Sequence, residues 1–428
     1  MNSSQVMRKS RRPYATALTL IFFACLVLVP ALLQHEPLKW QAAKAVSQYE
    51  SGDQNAAIEA LQQVAPKLAS DYYVQSKLID WLAKAGQADK AVKYCNQQLE
   101  RNPSSAIWLS MRRESECEAR DFKAAWQTQK ELRLLEVRSV NLSAEELNEQ
   151  AYFRALADED LQIARSEIQE AVTKASYNSG IPNFQLPLPS QALIFASLLS
   201  RHAGAQSLVM PQLNRRIEVV ERVLGAREKH LADSLDEFSE GSFPLGETQE
   251  GLLKDFRLEI ELSRREISFL TVCRALMHED LAHPERCDAD RAQIAESGLQ
   301  PQAVADLLPD DDVCYAMALR VSAYLDTRAF VLSKLPSSDM SQLDDEESIA
   351  LDAITDLNIA VTVCEVLEGL PQTSNELTEQ EISRFNRFYA VVLSHRVGVN
   401  KKAGNADLVR SDRKRIESLG FDPDGNLY

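Results

Sequence analysis

Glycine is scarce, at 14 of 428 residues, and no run alternates apolar and polar side chains as a half-buried strand would. The chain has no Gly-rich phosphate loop and no Gly-x-Ser-x-Gly elbow. Its six histidines never reach ligand spacing. In His278-Glu279-Asp280-Leu281-Ala282-His283 the two histidines stand five apart, about 140° round a helix, whereas the zinc-protease motif needs four. Pro284 follows at once, which reads as a helix end carrying surface histidines, and Cys287 brings no second cysteine at ligand spacing. His35, His202, His230 and His395 are isolated. The paired acids Glu145-Glu146 and Asp310-Asp311-Asp312 read as helix starts, where they complement the macrodipole. These absences leave an enzyme reading without a constellation, and no catalytic residue, metal or cofactor is expected. No pair of the seven cysteines forms Cys-x-x-Cys. Cys95 and Cys117 are candidates to pair in an oxidising compartment, or Cys95 simply fills a packing position.

Acidic charge dominates most of the chain. The first 33 residues hold Arg8, Lys9, Arg11 and Arg12 and no acid; taking these four from the totals of 47 basic and 63 acidic residues leaves 43 against 63, net −20. That opposes nucleic-acid binding, which needs a positive footprint. From Tyr14 to Leu33 the chain is apolar. Twenty residues at helical rise cover roughly 30 Å, a bilayer core. The basic cluster before this run predicts a cytoplasmic tail over 1–13, a transmembrane helix over 14–33, and a body outside the cytoplasm, periplasmic in a bacterium. A cleaved signal peptide ending near Val29-Pro30-Ala31 is the alternative.

What is abundant is helix-forming residues with a fixed period. Gly52-Asp53 is followed by Ala57, Leu61 and Val64; Gly86-Gln87 by Ala91, Cys95 and Gln98; Arg120-Asp121 by Ala125, Gln129 and Leu132. Ala57, Ala91 and Ala125 are 34 residues apart, as are Gly52, Gly86 and Arg120. This pattern resembles the tetratricopeptide repeat (TPR), two antiparallel helices per unit. The resemblance implies that the small residue stands at the turn, where it accepts positive φ, and that the Ala five residues on stands at the close crossing of the two helices. Leu147 to Leu156 and Leu161 to Ala171 read as a fourth hairpin, displaced by five residues because Ala164 lies 39 after Ala125.

The rest of the chain is less regular. Gly180, Pro182, Pro187 and Pro189 break the helices between Tyr177 and Ser190. Two long helices follow, Leu213 to Phe238 and Leu253 to Met277, each with the three-four spacing of a coiled-coil seam. They form either an inserted antiparallel hairpin turning at Ser239 to Gly246, or enlarged units that continue the solenoid. Leu325 to Phe330 reads as opening another first helix, Ala353, Leu357 and Ala360 lie on its partner, and Pro336 to Glu347 enlarges the turn between them. The acidic run Asp344 to Glu347 reads as a solvated loop. A last unit spans Phe385 to Leu419 with its turn at Lys401 to Asn405.

The expected class is therefore all-α: a TPR-type α-solenoid with an inserted long helical hairpin, preceded by one transmembrane helix. Repeats 1–4 occupy 38–172, the inserted region 173–320 and the C-terminal repeats 321–428. The resemblance implies a membrane-anchored scaffold that binds another protein, of unknown identity, on the concave face lined by the first helix of each unit. Carrying the phase over places Val46, Tyr49, Tyr73, Lys77, Asp80, Lys84, Met111 and Glu114 on that face. The chaperone-tail clamp of some TPR proteins is absent: Ala42 and Val46, then Ser110 and Glu114, stand where it needs Lys, Asn, Lys and Arg. The alternative is a structural envelope protein forming homo-oligomers through the long hairpin.

Overall fold

The structure, a computed structural model, describes residues 36–136, 142–177, 186–240, 247–296, 311–335, 353–370, 378–425 and 427. The expected transmembrane helix 14–33, the expected turn Ser239 to Gly246 over most of its length, and the expected enlarged turn Pro336 to Glu347 lie outside those residues. Among the described residues no helix is long and apolar enough to cross a membrane. Among the described residues sixteen helices pack in consecutive pairs, and the chain divides into two compact units, Met1–Val137 and Arg138–Tyr428.

The first unit holds α1 (36–50), α2 (Gln54–Val64), a short 3₁₀ turn (Ala65–Leu68), α3 (Tyr72–Lys84), α4 (Ala88–Arg101), α5 (Ala106–Glu118) and α6 (Phe122–Glu136). Asp71 and Ser105 cap α3 and α5, each accepting from the backbone N–H three residues on. Ala57, Ile58, Leu61, Leu78, Ile79, Leu82, Ala91 and Cys95 form one apolar core. Gln75 is buried inside it; its Nε2 donates to the carbonyls of Ala65 (2.7 Å) and Leu68 (3.1 Å), and its Oε1 accepts from Gln98. That bridge ties the 3₁₀ turn to α3 and α4 and leaves no buried amide unpaired on this side of the core.

The second unit holds α7 (Ala144–Leu156), α8 (Leu161–Tyr177), α9 (Leu188–Ala203), α10 (Gln206–Glu240), α11 (Glu247–Asp280), α12 (Pro284–Glu296), α13 (Asp311–Lys334), α14 (Ala353–Gly369), α15 (Glu379–Lys402) and α16 (Ala406–Ser418). α9 is its centre, buried on all sides against α10, α11, α13 and α14. Pro189, read from sequence as a breaker, lies inside its first turn, where a missing N–H costs nothing. Tyr324 to Phe330 lie in the middle of α13 rather than at a helix start, since that helix runs from Asp311 without a break. α7 and α8 pack on α13, so this fourth hairpin is part of the second unit.

One turn recurs through both units. Gly52, Gly86, Arg120, Asp158, Gly204, Ala282 and Gly404 all have positive φ, between 53° and 97°. In each case the next residue's N–H donates to the carbonyl five positions earlier: Asp53 to Gln48, Gln87 to Leu82, Asp121 to Glu116, Glu159 to Arg154, Ala205 to Ser200, His283 to His278 and Asn405 to Asn400, at 2.8–3.1 Å. This is the Schellman closure, which satisfies a carbonyl at the end of the first helix and reverses the chain. Five residues after the left-handed position stand Ala57, Ala91, Ala125, Val209 and Cys287, all buried, whereas Val409 after Gly404 is half-buried. After Asp158 the turn carries one additional residue, Asp160, also at positive φ, and Ala164 takes the buried place. Gly204 and Ala282 thus make α9–α10 and α11–α12 hairpins of the same kind, with α10 and α11 as elongated members.

Two consequences are measurable. Ala91 is fully buried at the crossing of α3 and α4, so Ala91→Leu is expected to destabilise the first unit by about 1–3 kcal/mol, read from its denaturant midpoint. An unchanged midpoint would remove this crossing from the account. Ala282 holds φ 57°, a left-handed conformation in which a Cβ comes too close to the following carbonyl. Ala282→Gly should therefore stabilise the second unit by about 0.5–1 kcal/mol, the relief of a left-handed Ala less the entropy Gly adds to the unfolded chain. A lowered midpoint would contradict the strain.

Candidate functional site

The face that the repeat phase assigns to the first helices is built mainly by α1, α3 and α5. α3 carries most of it. Leu78, Ile79 and Leu82 turn into the core, and the same helical period turns Tyr73, Lys77, Asp80 and Lys84 away from it. Tyr73 is 54% exposed, and the Lys77 ammonium sits 5.7 Å from its ring centroid. At that distance the cation is held by the ring's negative face, with Tyr73 open to solvent and Lys77 half-buried. Lys84 reaches back one turn to Asp80 at 2.9 Å; this pair is exposed and contributes little to stability.

Tyr49 of α1 has a different role from Tyr73. Its ring stacks on buried Trp81 at 4.1 Å between centroids and 6° between planes. Burial raises its phenol above the ordinary value; Lys84 pulls the other way and Asp80 adds a smaller upward push. Tyr49, Asp80 and Lys84 therefore share one neighbourhood, with the tyrosine half-buried as the wall and the charges outside it. Val46 and Met111 are likewise half-buried and packed against the core, whereas Glu114 on α5 is exposed.

Two residues not assigned to the face from sequence belong beside it. Ile107, one 34-residue period after Tyr73, is 53% exposed. Tyr72 is 52% exposed, with its ring 5.2 Å from that of Trp108. The first turns of α3 and α5 thus present Tyr72, Tyr73 and Ile107 to solvent. The period pointed to Ile107; only the solvent exposure separates it from a core isoleucine. Trp40 of α1 is also open, at 78%.

The two histidines differ in exposure. His278 is buried, contrary to its reading as a surface residue, because α12 folds back over the end of α11 and brings Asp290 to 4.0 Å from it. Burial lowers its pKa, with Asp290 opposing. Asp290 is meanwhile bound by Arg274 at 2.6 Å, and His283 is exposed. No group of three or more metal-ligating side chains occurs among the described residues. Cys95 and Cys117 are both buried, and desolvation pushes each thiol up to about 12. They are inert fillers of the interior.

No protein-family model matches the chain, and no curated protein sequence does. The class is set by the architecture alone: an all-α protein whose helices pack in consecutive pairs, consistent with a helical repeat.

Proposed function

We propose that the chain is a TPR-type scaffold that captures another protein on the first-helix face of its N-terminal unit, held at a membrane by residues 14–33 with its body outside the cytoplasm. The observation that carries this reading is the exposure of Tyr73 and Ile107 one period apart, flanked by Lys77 and Glu114, on helices whose cores are complete without them. An aromatic or apolar anchor ringed by charge is the composition of a protein-binding hot spot. The 34-residue spacing supports TPR units in particular. The basic cluster ahead of the apolar run supports the anchor and its orientation.

The double change Tyr73→Ala with Lys77→Glu touches neither the core nor a cap. It is expected to leave helical circular dichroism and the unfolding midpoint nearly unchanged, while protein captured from native membranes falls by at least about ten-fold, the loss of one anchor residue. A folded variant that retains the same partner at wild-type yield would exclude this face.

A further inference from the structure

The two long helices change character along their length. From Glu266 to His278 nearly every residue of α11 is buried, many of them against α9, but between Glu250 and Leu262 only Leu253 and Ile260 are buried among the described side chains. In α10 no described residue after Val220 is buried. These distal halves make a two-helix arm. Its inner charges are matched within it: Arg227 with Glu259 at 3.5 Å and with Ser263 at 2.8 Å, and Arg264 with Glu228 at 2.6 Å. The rings of His230 and Phe256 meet edge to face at 4.9 Å across the seam.

A second stripe of α11 faces away from that seam. Glu250, Lys254, Leu258, Glu261 and Arg265 recur at three-four spacing, about 140° round the helix from Leu253, Phe256 and Ile260. Leu258 is 54% exposed at its middle. Glu250, Lys254 and Glu261 are exposed, and Arg265, half-buried, lies 5.7 Å from the Phe269 ring. Read along the helix, the stripe runs acid, base, leucine, acid, base. An antiparallel copy of the same helix, related by a two-fold axis between Arg257 and Leu258, sets Glu250 opposite Arg265 and Lys254 opposite Glu261, and brings the two leucines together. Every charged pair is then attractive, and each occurs twice, as a two-fold interface requires. A parallel copy in register would oppose like charges throughout.

We infer that the outer stripe of α11 is a self-association surface whose occupant is the same stripe of a second copy of this chain, antiparallel about Leu258. This goes beyond the client-binding proposal and does not rest on it, since none of these residues belongs to the α3–α5 face.

The test is cysteine cross-linking of the full chain in the cells that produce it, with a short bismaleimide. The six described native cysteines are buried, and the wild-type chain treated in parallel sets the background. Leu258→Cys should give a covalent dimer of the chain, whereas Asp233→Cys, exposed on α10, should not. Adding Lys254→Glu to Leu258→Cys should lower the dimer yield about five-fold, since two exposed pairs become repulsive. Further addition of Glu261→Lys, which exchanges the charges, should restore it. No dimer through Leu258→Cys, a product with a different protein in its place, or a yield indifferent to both charge changes would each overturn the inference. The Tyr73→Ala, Lys77→Glu chain should dimerise as the wild type does, so failure of the client reading and failure of this one are separable.

Discussion

Replacing Arg328 by Met is expected to destabilise the second unit by about 3–5 kcal/mol, the largest charge effect anticipated in this protein. Arg328 on α13 grips Asp356 on α14 with two parallel bonds of 2.6 Å, and both side chains are buried. Removing the guanidinium leaves a buried carboxylate between α13 and α14 without that counter-charge. The cost comes from that stranded charge rather than from the worth of the pair, because desolvating both ions offsets much of their attraction. The double change Arg328→Met with Asp356→Leu should therefore recover most of the loss. Denaturant melts of the three variants decide it. A double variant no more stable than Arg328→Met would mean that the pair itself, and not the buried carboxylate left without Arg328, is what matters.

Phe195→Ala should cost a similar amount for a different reason. Phe195 is fully buried near the middle of α9, which is enclosed by α10, α11, α13 and α14. Truncation removes the transfer energy of the ring and leaves a cavity that five helices have little freedom to close, together about 3–5 kcal/mol. Phe195→Leu keeps much of the volume and should cost less than about 1.5 kcal/mol. Equal losses for the two would show that the site collapses freely and that α9 is not the fixed centre of the unit.

Much of this arrangement was legible in residue spacing. Gly52, Gly86 and the alanines five residues beyond them identified the turns and the close crossings, and Gly404 marked the last hairpin. Other turns were harder to read. Arg120, Asp158 and Ala282 adopt the left-handed conformation without being glycine, held by the same Schellman bonds, so composition alone did not announce them. α9 showed no amphipathic stripe because it is buried on every side, and a helix without a polar face has no period to detect. The elongation of α10 and α11 hid the repeat turns at their far ends. On the candidate face, helical spacing grouped Tyr73, Lys77, Asp80 and Lys84 and the repeat phase added Tyr49, without showing that its ring is half-buried. The stack of Tyr49 on Trp81 joins residues 32 apart in sequence on neighbouring helices, and such a contact follows from packing, not from period.

The central claim is that a client protein lies across the first turns of α3 and α5. A photo-crosslinking amino acid placed at Ile107 tests it most directly, with the same group at Lys93, exposed on α4, as the reference. After illumination of cells producing the full chain, the account predicts a covalent adduct with one distinct protein from position 107 and none from position 93. The adduct should disappear when Tyr73→Ala and Lys77→Glu are present. Adducts from position 93 alone, or from position 107 undiminished by those changes, would contradict it.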